Sequence, residues 1–198
     1  MSWLKKEKDA EPSERDRIPP GQYLTEEWPV LHAGSVPQFD PHRWDFRIFG
    51  LVEALLRLDY QKFMSLPKAK IISDVQCVTA WSKPDNEWEG VSVRELMKRV
   101  KIRPEAKFVL AHAEQGFTAN LPIEALLDDD VLFAYAHNGK PLTPEHGWPL
   151  RLVVPKRYFW KSAKWVRGVE FSSEDKPGFW EIRGYNNNAD PWKEEQYW

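Results

Sequence analysis

The stretch VLFAYAHNGKPLTPEHGWPLRLVVPKRYFWKSAKWVRGVEF, residues 131–171, carries three apolar runs rich in branched and aromatic side chains, separated by turn-forming residues. VLFAYAH predicts a strand, and the Asn138-Gly139 pair after it suits a tight hairpin turn, whose central residues need positive φ. LRLVVP over 150–155 and AKWVRGVEF over 163–171 predict two more strands. Moving toward the N-terminus, Pro122 sits well in the first turn of a short helix through Leu127. KFVLAHA over 107–113 reads as a strand, with GFTANL its partner after a turn. Ser92-Val-Arg-Glu95 forms a capping box, and Val93, Leu96, Met97 and Val100 follow at helical spacing. DFRIFGLV over 45–52 predicts a strand, KIISDVQCVTAW over 70–81 one or two, and FWEIRG over 179–184 a last one. Helices are short, strands dominate, there is no internal repeat, and the elements do not alternate as βαβα. The predicted class is α+β, with a mixed, mainly antiparallel β core and short helices.

A chain of 198 residues with 42% hydrophobic content supports one domain with a full core. Lys+Arg 28 against Asp+Glu 30 gives a net charge of -2, so no global basic field draws nucleic acid. The single cysteine, Cys77, excludes an internal disulfide, a thiolate zinc cage, a cysteine-held iron-sulfur cluster and a CxxCH haem site. Neither GxGxxG nor GxxxxGK[ST] occurs, which disfavours nucleotide cofactors held in the Rossmann or P-loop manner. No apolar run approaches the roughly 20 residues of a membrane helix. Residues 1–17, MSWLKKEKDAEPSERDR, read as a flexible charged arm without export features, so cytoplasmic residence is the default expectation, and 18–198 form the domain. The segment 19–41 is rich in proline yet holds Tyr23, Leu24, Trp28, Val30, Leu31 and Phe39, which predicts an ordered irregular layer able to line a site. The 11 tryptophans point first to packing.

Two positions invite chemistry. Cys77, in SDVQCVTAWS, reads on its neighbours alone first as a small buried hydrophobe, with a soft metal ligand or a nucleophile as the functional alternatives. His32, His42, His112, His137 and His146 make no metal-binding spacing, and none is assigned to Cys77 by position. Arg151 opens an apolar strand, where a charge needs a partner. Lys156, Arg157, Lys161, Lys164 and Arg167 follow it, either as a solvated basic face or as part of a site for a buried anionic ligand.

Cys77 in its strand, the segment HGWPLRLVVP, and Lys161-Ser-Ala-Lys164-Trp165 in this order resemble the molybdopterin-binding domain of the sulfite oxidase family. The similarity spans roughly 18–198 and is greatest to short stand-alone sulfite oxidase-like oxidoreductases, which share RIPPGQ and GSVPQFDPHRWDFRIFG. The resemblance implies the sulfite oxidase-type fold and one molybdenum-molybdopterin cofactor whose only protein ligand to the metal is Cys77. It implies pterin and phosphate contacts from His146 and Arg151, from the Ser162, Ala163 and Lys164 loop, from His32, and from Thr118 beside Phe117. It further implies oxygen-atom transfer on a small sulfur- or nitrogen-containing substrate, with electrons exchanged with a separate partner. True sulfite oxidases carry an arginine where this chain has Leu31, which counts against a dedicated sulfite oxidase. Two other readings of the residues compete: a metal-free binding module of the same fold, and a thiol enzyme pairing Cys77 with His32 or His146.

Overall fold

The structure is a computed structural model and describes residues 14–198. Its strands are Tyr23–Leu24 (β1), Asp45–Gly50 (β2), Leu56–Asp59 (β3), Ala69–Gln76 (β4), Trp81–Ser92 (β5), Phe108–Ala113 (β6), Thr118–Pro122 (β7), Leu132–His137 (β8), Lys140–Pro141 (β9), Arg151–Val153 (β10) and Val166–Ser172 (β11). Three short helices, Tyr60–Met64 (α1), Val93–Met97 (α2) and Ile123–Leu126 (α3), join them. One sheet runs β1-β5-β8-β10, with β4 added on β5 and β9 on β8, and the other runs β3-β2-β11-β6-β7. Among the described residues only β1 with β5 and β11 with β2 pair in parallel, so the mixed, mainly antiparallel α+β core is as expected.

The strand period of two divides the apolar residues between two clusters. On β8, Phe133 and Tyr135 join the larger core, whereas Leu132 and Ala134 face a smaller cluster containing Val75, Cys77, Trp81, Trp88 and Val153. On β10, Leu152 and the neighbouring Leu150 and Val154 go to the larger core. The same alternation turns Arg151 to the face of Val153, the side of Cys77. β5 and β8 approach closely at Gly90, where a Cβ would lie 2.0 Å from the Phe133 carbonyl oxygen, so a side chain there would push the two strands apart.

Ser92 caps α2, its hydroxyl accepting from the Glu95 N–H at 3.2 Å, and Asn138 and Gly139 take φ of 47° and 73° in the β8–β9 turn. Four features differ from the sequence reading. Residues 179–184 are not a strand: Glu181–Arg183 forms a 3-10 turn ended by Gly184 at φ 97°, because Glu181 turns inward to Lys161. Cys77 follows β4 instead of lying in a strand. β5 extends through the polar run to Ser92, and β3 and α1 occupy a segment with no predicted element. Of the expected arm, residues 1–13 lie outside the described residues. Glu14–Arg17 forms a 3-10 turn whose Arg17 ion-pairs with Asp74 and Asp85 at 2.5 and 2.7 Å. No helix among the described residues is long and apolar enough to cross a membrane.

Candidate active site

Cys77 opens the tight turn between β4 and β5. Its N–H donates to the Trp81 carbonyl at 2.9 Å, its carbonyl accepts from Ala80 N–H at 3.0 Å, and Ala80 takes the left-handed φ of 68° that the reversal requires. Gln22 ties the irregular N-terminal layer to this turn, donating to the Cys77 carbonyl at 3.0 Å and accepting from the Ser82 hydroxyl at 2.7 Å. Cys77 is 7% exposed, and burial pushes its thiol pKa up. Acting against that are the Thr79 hydroxyl, 3.1 Å from Sγ, the N–H groups of Thr79 and Val78, and the charge of Lys164. These donors are aimed where a thiolate needs them, so a metal that replaced the thiol proton would find the negative sulfur already solvated by the turn.

Arg151 is the electrostatic centre of the cavity. It is 1% exposed, and its guanidinium donates to the carbonyls of His146 at 2.9 Å and Ser162 at 3.0 Å. Trp28, Trp88 and Phe159 surround it, the last with its centroid 4.2 Å away. Nε has no acceptor, and no carboxylate pairs with it among the described residues, so burial alone drives its pKa down to about 9. Ser162 spends its hydroxyl accepting from Val154 N–H at 2.9 Å, and the Ala163 carbonyl accepts from Leu152 N–H at 2.8 Å. The loop is therefore stitched to β10. Lys164 donates to the carbonyls of Leu31 and Glu145 at 2.7 and 2.6 Å, and burial, then Arg151, lowers its pKa to about 7. Gly147, at φ 110°, lets these cations close up: a Cβ there would meet Arg151 Cβ at 3.1 Å and Lys164 Cβ at 3.2 Å.

A cavity of about 550 Å3 brings together Cys77, His32, Arg151, Ser162, Ala163 and Lys164. His32 binds the Gly34 carbonyl through Nδ1 at 3.1 Å and meets the edge of Trp165. His146 stands behind Trp28, which lines the cavity and stacks on the imidazole at 3.9 Å, with Nε2 3.3 Å from the Trp28 carbonyl. Thr118 lies one residue beyond the lining Phe117, and its carbonyl accepts from Phe179 N–H. The other cations of the basic run are used elsewhere. Lys161, fully buried, pairs with Glu181 at 2.6 Å and donates to the Asn120 carbonyl and side chain, Lys156 pairs with Asp128, and Arg167 with Asp45 and Glu114.

Sequence reading missed the facing wall: Trp160, Phe179, Trp180 and Tyr185. Burial and then Tyr197 raise the phenol pKa of Tyr185. The signal was present as FWEIRGY, but an expected strand over 179–184 implied core packing for these rings.

The donor set has a specific demand. A buried guanidinium without a counter-anion and a second depressed cation beside it call for an anionic group, and the lone soft sulfur in the same cavity suits a metal. Among the described residues no cluster of three metal-binding side chains exists, so such a metal must bring its other ligands with it. A metal carried by a phosphorylated pterin dithiolene meets both demands. The profile of the oxidoreductase molybdopterin binding domain matches residues 33–180. The chain belongs to this family.

This molybdopterin-binding domain is 46% identical to the oxidoreductase YuiH of Bacillus subtilis, over 91% of the chain and 92% of that protein. It is 28% identical to the protein-methionine-sulfoxide reductase catalytic subunit MsrP of Ralstonia nicotianae, over 86% of the chain but only 56% of the relative. Among solved structures the fold resembles the sulfane dehydrogenase SoxCD of Paracoccus pantotrophus, with TM-score 0.66 and 24% identity over 73% of this chain and 42% of that one. The molybdopterin-binding domain is thus a molybdenum-pterin oxidoreductase with the sulfite oxidase-type fold.

Proposed function

We propose that the protein transfers an oxygen atom to or from a small sulfur- or nitrogen-containing substrate and exchanges electrons with a separate partner, in the cytoplasm. The observation that carries this reading is the pairing, in one cavity, of the donor-supported Cys77 sulfur with the uncompensated Arg151 guanidinium. Bound cofactor supplies a metal that takes up or releases an oxygen atom with two electrons. Cys77 would be its single protein ligand, with the Thr79 hydroxyl placed to donate to the sulfur. Arg151 and Lys164 neutralise the phosphate, with the Ser162-Ala163 backbone fixing the loop that presents Lys164. His32 on the cavity lining, His146 stacked behind the lining Trp28, and Thr118 beside the lining Phe117 would contact the pterin. The aromatic wall of Trp160, Phe179, Trp180 and Tyr185 would limit water beside the bound group.

Leu31 leaves the cavity with Arg151 and Lys164 as its lining Lys or Arg side chains among the described residues, and both serve the cofactor. Sulfite, a dianion, lacks a free cation there, which favours neutral oxides. The metal-free binding module gives no use to a fully buried guanidinium whose Nε lacks an acceptor and which no carboxylate pairs among the described residues. A thiol enzyme lacks its base, since His32 contacts the Gly34 carbonyl and His146 contacts Thr143 and the Trp28 carbonyl, not Cys77.

The test is a screen of molybdenum-loaded protein with a reduced viologen dye and S-oxides, N-oxides or nitrate, and with ferricyanide and sulfite. Dye oxidation dependent on an S- or N-oxide supports the proposal. Turnover of sulfite alone, or of nothing by fully loaded protein, contradicts it.

A further inference from the structure

Among the titratable side chains that line the cavity, Cys77, Arg151, Lys164 and His32 are assigned to the cofactor, and Glu114 is paired with Arg167 at 2.5 Å. Tyr185 remains, a half-buried phenol close enough to Cys77 for the two to interact electrostatically. We infer that Tyr197 is its positioning residue and proton supply: Tyr185 hands a proton to the oxygen that leaves an S-oxide as water, and Tyr197 fixes that phenol and restores its proton from solvent.

Tyr185 is held by rings. Trp160 meets it edge-on at 5.0 Å and Trp180 lies tilted against it at 5.0 Å, and the Trp160 indole is itself fixed by donating to Glu181 at 2.8 Å. Tyr197 packs on it at 5.1 Å with the planes 68° apart, and the two hydroxyls share a hydrogen bond. Of these three neighbours Tyr197 alone carries a hydroxyl, and it is 58% exposed. The pair therefore spans from the cavity to the surface.

The chain around Tyr197 is fixed as a strap. Tyr185 and Tyr197 form an isolated antiparallel bridge, flanked by Asn186 N–H donating to the Gln196 carbonyl at 3.1 Å and Trp198 N–H donating to the Gly184 carbonyl at 3.2 Å. The Gln196 amide donates to the hydroxyl of the buried Tyr158 at 3.2 Å, and Glu195 accepts from the Asn188 amide at 2.5 Å and Asp190 N–H at 3.1 Å. A donor held on this many points is already oriented before substrate arrives.

Burial, and after it Tyr197, raises the Tyr185 pKa, which keeps the phenol protonated and able to donate at neutral pH. Cys77 acts on it in the same direction, while the nearby charges are engaged elsewhere: Glu181 with Lys161, Arg183 over the Phe179 ring, and Glu195 with Asn188. Reducing an S-oxide takes two electrons, from the separate partner, and two protons, and yields a thioether and water. For each proton the Tyr185 O–H bond breaks as a new O–H bond forms on the departing oxygen, the Tyr197 proton moves to Tyr185, and water restores Tyr197. With the cavity filled by cofactor and substrate behind an aromatic wall, the exposed phenol gives this transfer its access to solvent. The proton role rests on the oxygen-transfer reading above, whereas the coupling of the two phenols does not.

NMR titration of carbon-labelled tyrosine in the apo full chain tests the coupling without any turnover, the Tyr185 signal being the one that Tyr185→Phe removes. Tyr197→Phe, a conservative change at an exposed position, should bring that signal's pKa down toward the ordinary 10.0, and Trp198→Ala, which keeps the backbone bond to Gly184, should leave it unchanged. In loaded protein Tyr197→Phe should lower kcat for S-oxide reduction by about tenfold and enlarge the solvent deuterium effect, with KM and molybdenum content unchanged, and Tyr185→Phe should lower kcat by about a hundredfold. A Tyr185 titration that Tyr197→Phe does not move, or that Trp198→Ala moves equally, overturns the coupling. A shifted titration with kcat and isotope effect unchanged in active protein overturns the proton role alone. Fully loaded protein inactive with every donor and every oxide overturns the oxygen-transfer reading and the proton role with it, and the titration still decides the coupling.

Discussion

Replacing Arg151 with methionine separates a residue kept for the fold from one kept for a ligand. In the protein without cofactor, burial brings the guanidinium from its ordinary value down to about 9, which at 1.36 kcal/mol per pH decade is a cost of roughly 5 kcal/mol. Set against it are two hydrogen bonds from a charged donor, worth about 1.5–3 kcal/mol each, and aromatic contacts worth about 0.5–2 kcal/mol. These nearly cancel. Arg151→Met is therefore expected to move the melting temperature of apo protein, made in a host unable to synthesise the cofactor, by no more than about 5 °C in either direction. The cofactor-bound state behaves differently, because truncating one partner of a buried charge pair costs about 2–5 kcal/mol, or roughly 30- to several-thousand-fold in affinity. Thermal unfolding of apo and loaded preparations of both proteins, read beside molybdenum content, gives the comparison. Loss of ten degrees or more by apo Arg151→Met, with normal molybdenum content in whatever remains folded, would refute the assignment of Arg151 to an anionic ligand.

Three further outcomes follow from the same geometry. Lys161→Met strands a fully buried Glu181 and should cost about 3–5 kcal/mol, or roughly 6–20 °C, while the folded fraction keeps its molybdenum; a parallel loss of metal without loss of stability would place Lys161 in the site. Gly147→Ala forces a Cβ between Arg151 and Lys164 at φ 110°, so cofactor retention should fall more than stability, as read by metal content and thermal unfolding. His137, half-buried against Trp28 and Trp88, has its pKa lowered from 6.5 to about 4, mainly by desolvation. The unfolded chain therefore binds the proton more tightly, and stability is full above pH 6.5 and declines as pH falls toward 4. His137→Gln should flatten that decline in urea titrations at pH 4 to 7, and an unchanged slope would show that His137 does not set it.

The strands of the central segment were legible because branched runs and the Asn138-Gly139 turn agree with their tertiary roles. The importance of Arg151 was equally plain, since a cation in an apolar period has few places to go, and the structure turns it to the Cys77 side by strand alternation. Lys161 and Lys164 could not be told apart in KSAKW. One lies against an inward glutamate 20 residues later and the other faces the cavity, a difference made by long-range packing. The same glutamate explains the missed wall: FWEIRG has strand composition, but the Lys161–Glu181 pair bends it into a 3-10 turn and directs Phe179, Trp180 and Tyr185 to the cavity. β5 was hidden by its polar sequence, SKPDNEWEG, whose partners β4 and β8 supply its hydrogen bonds on both sides.

The most direct test of the account is the molybdenum content of purified protein from a molybdenum-replete host, measured together with released pterin for the natural chain and for Cys77→Ser. About one molybdenum and one pterin per chain are expected, with the metal lost and the fold retained in Cys77→Ser. No molybdenum in the natural chain, or equal molybdenum in the variant, would contradict the assignment of Cys77 as the metal's ligand.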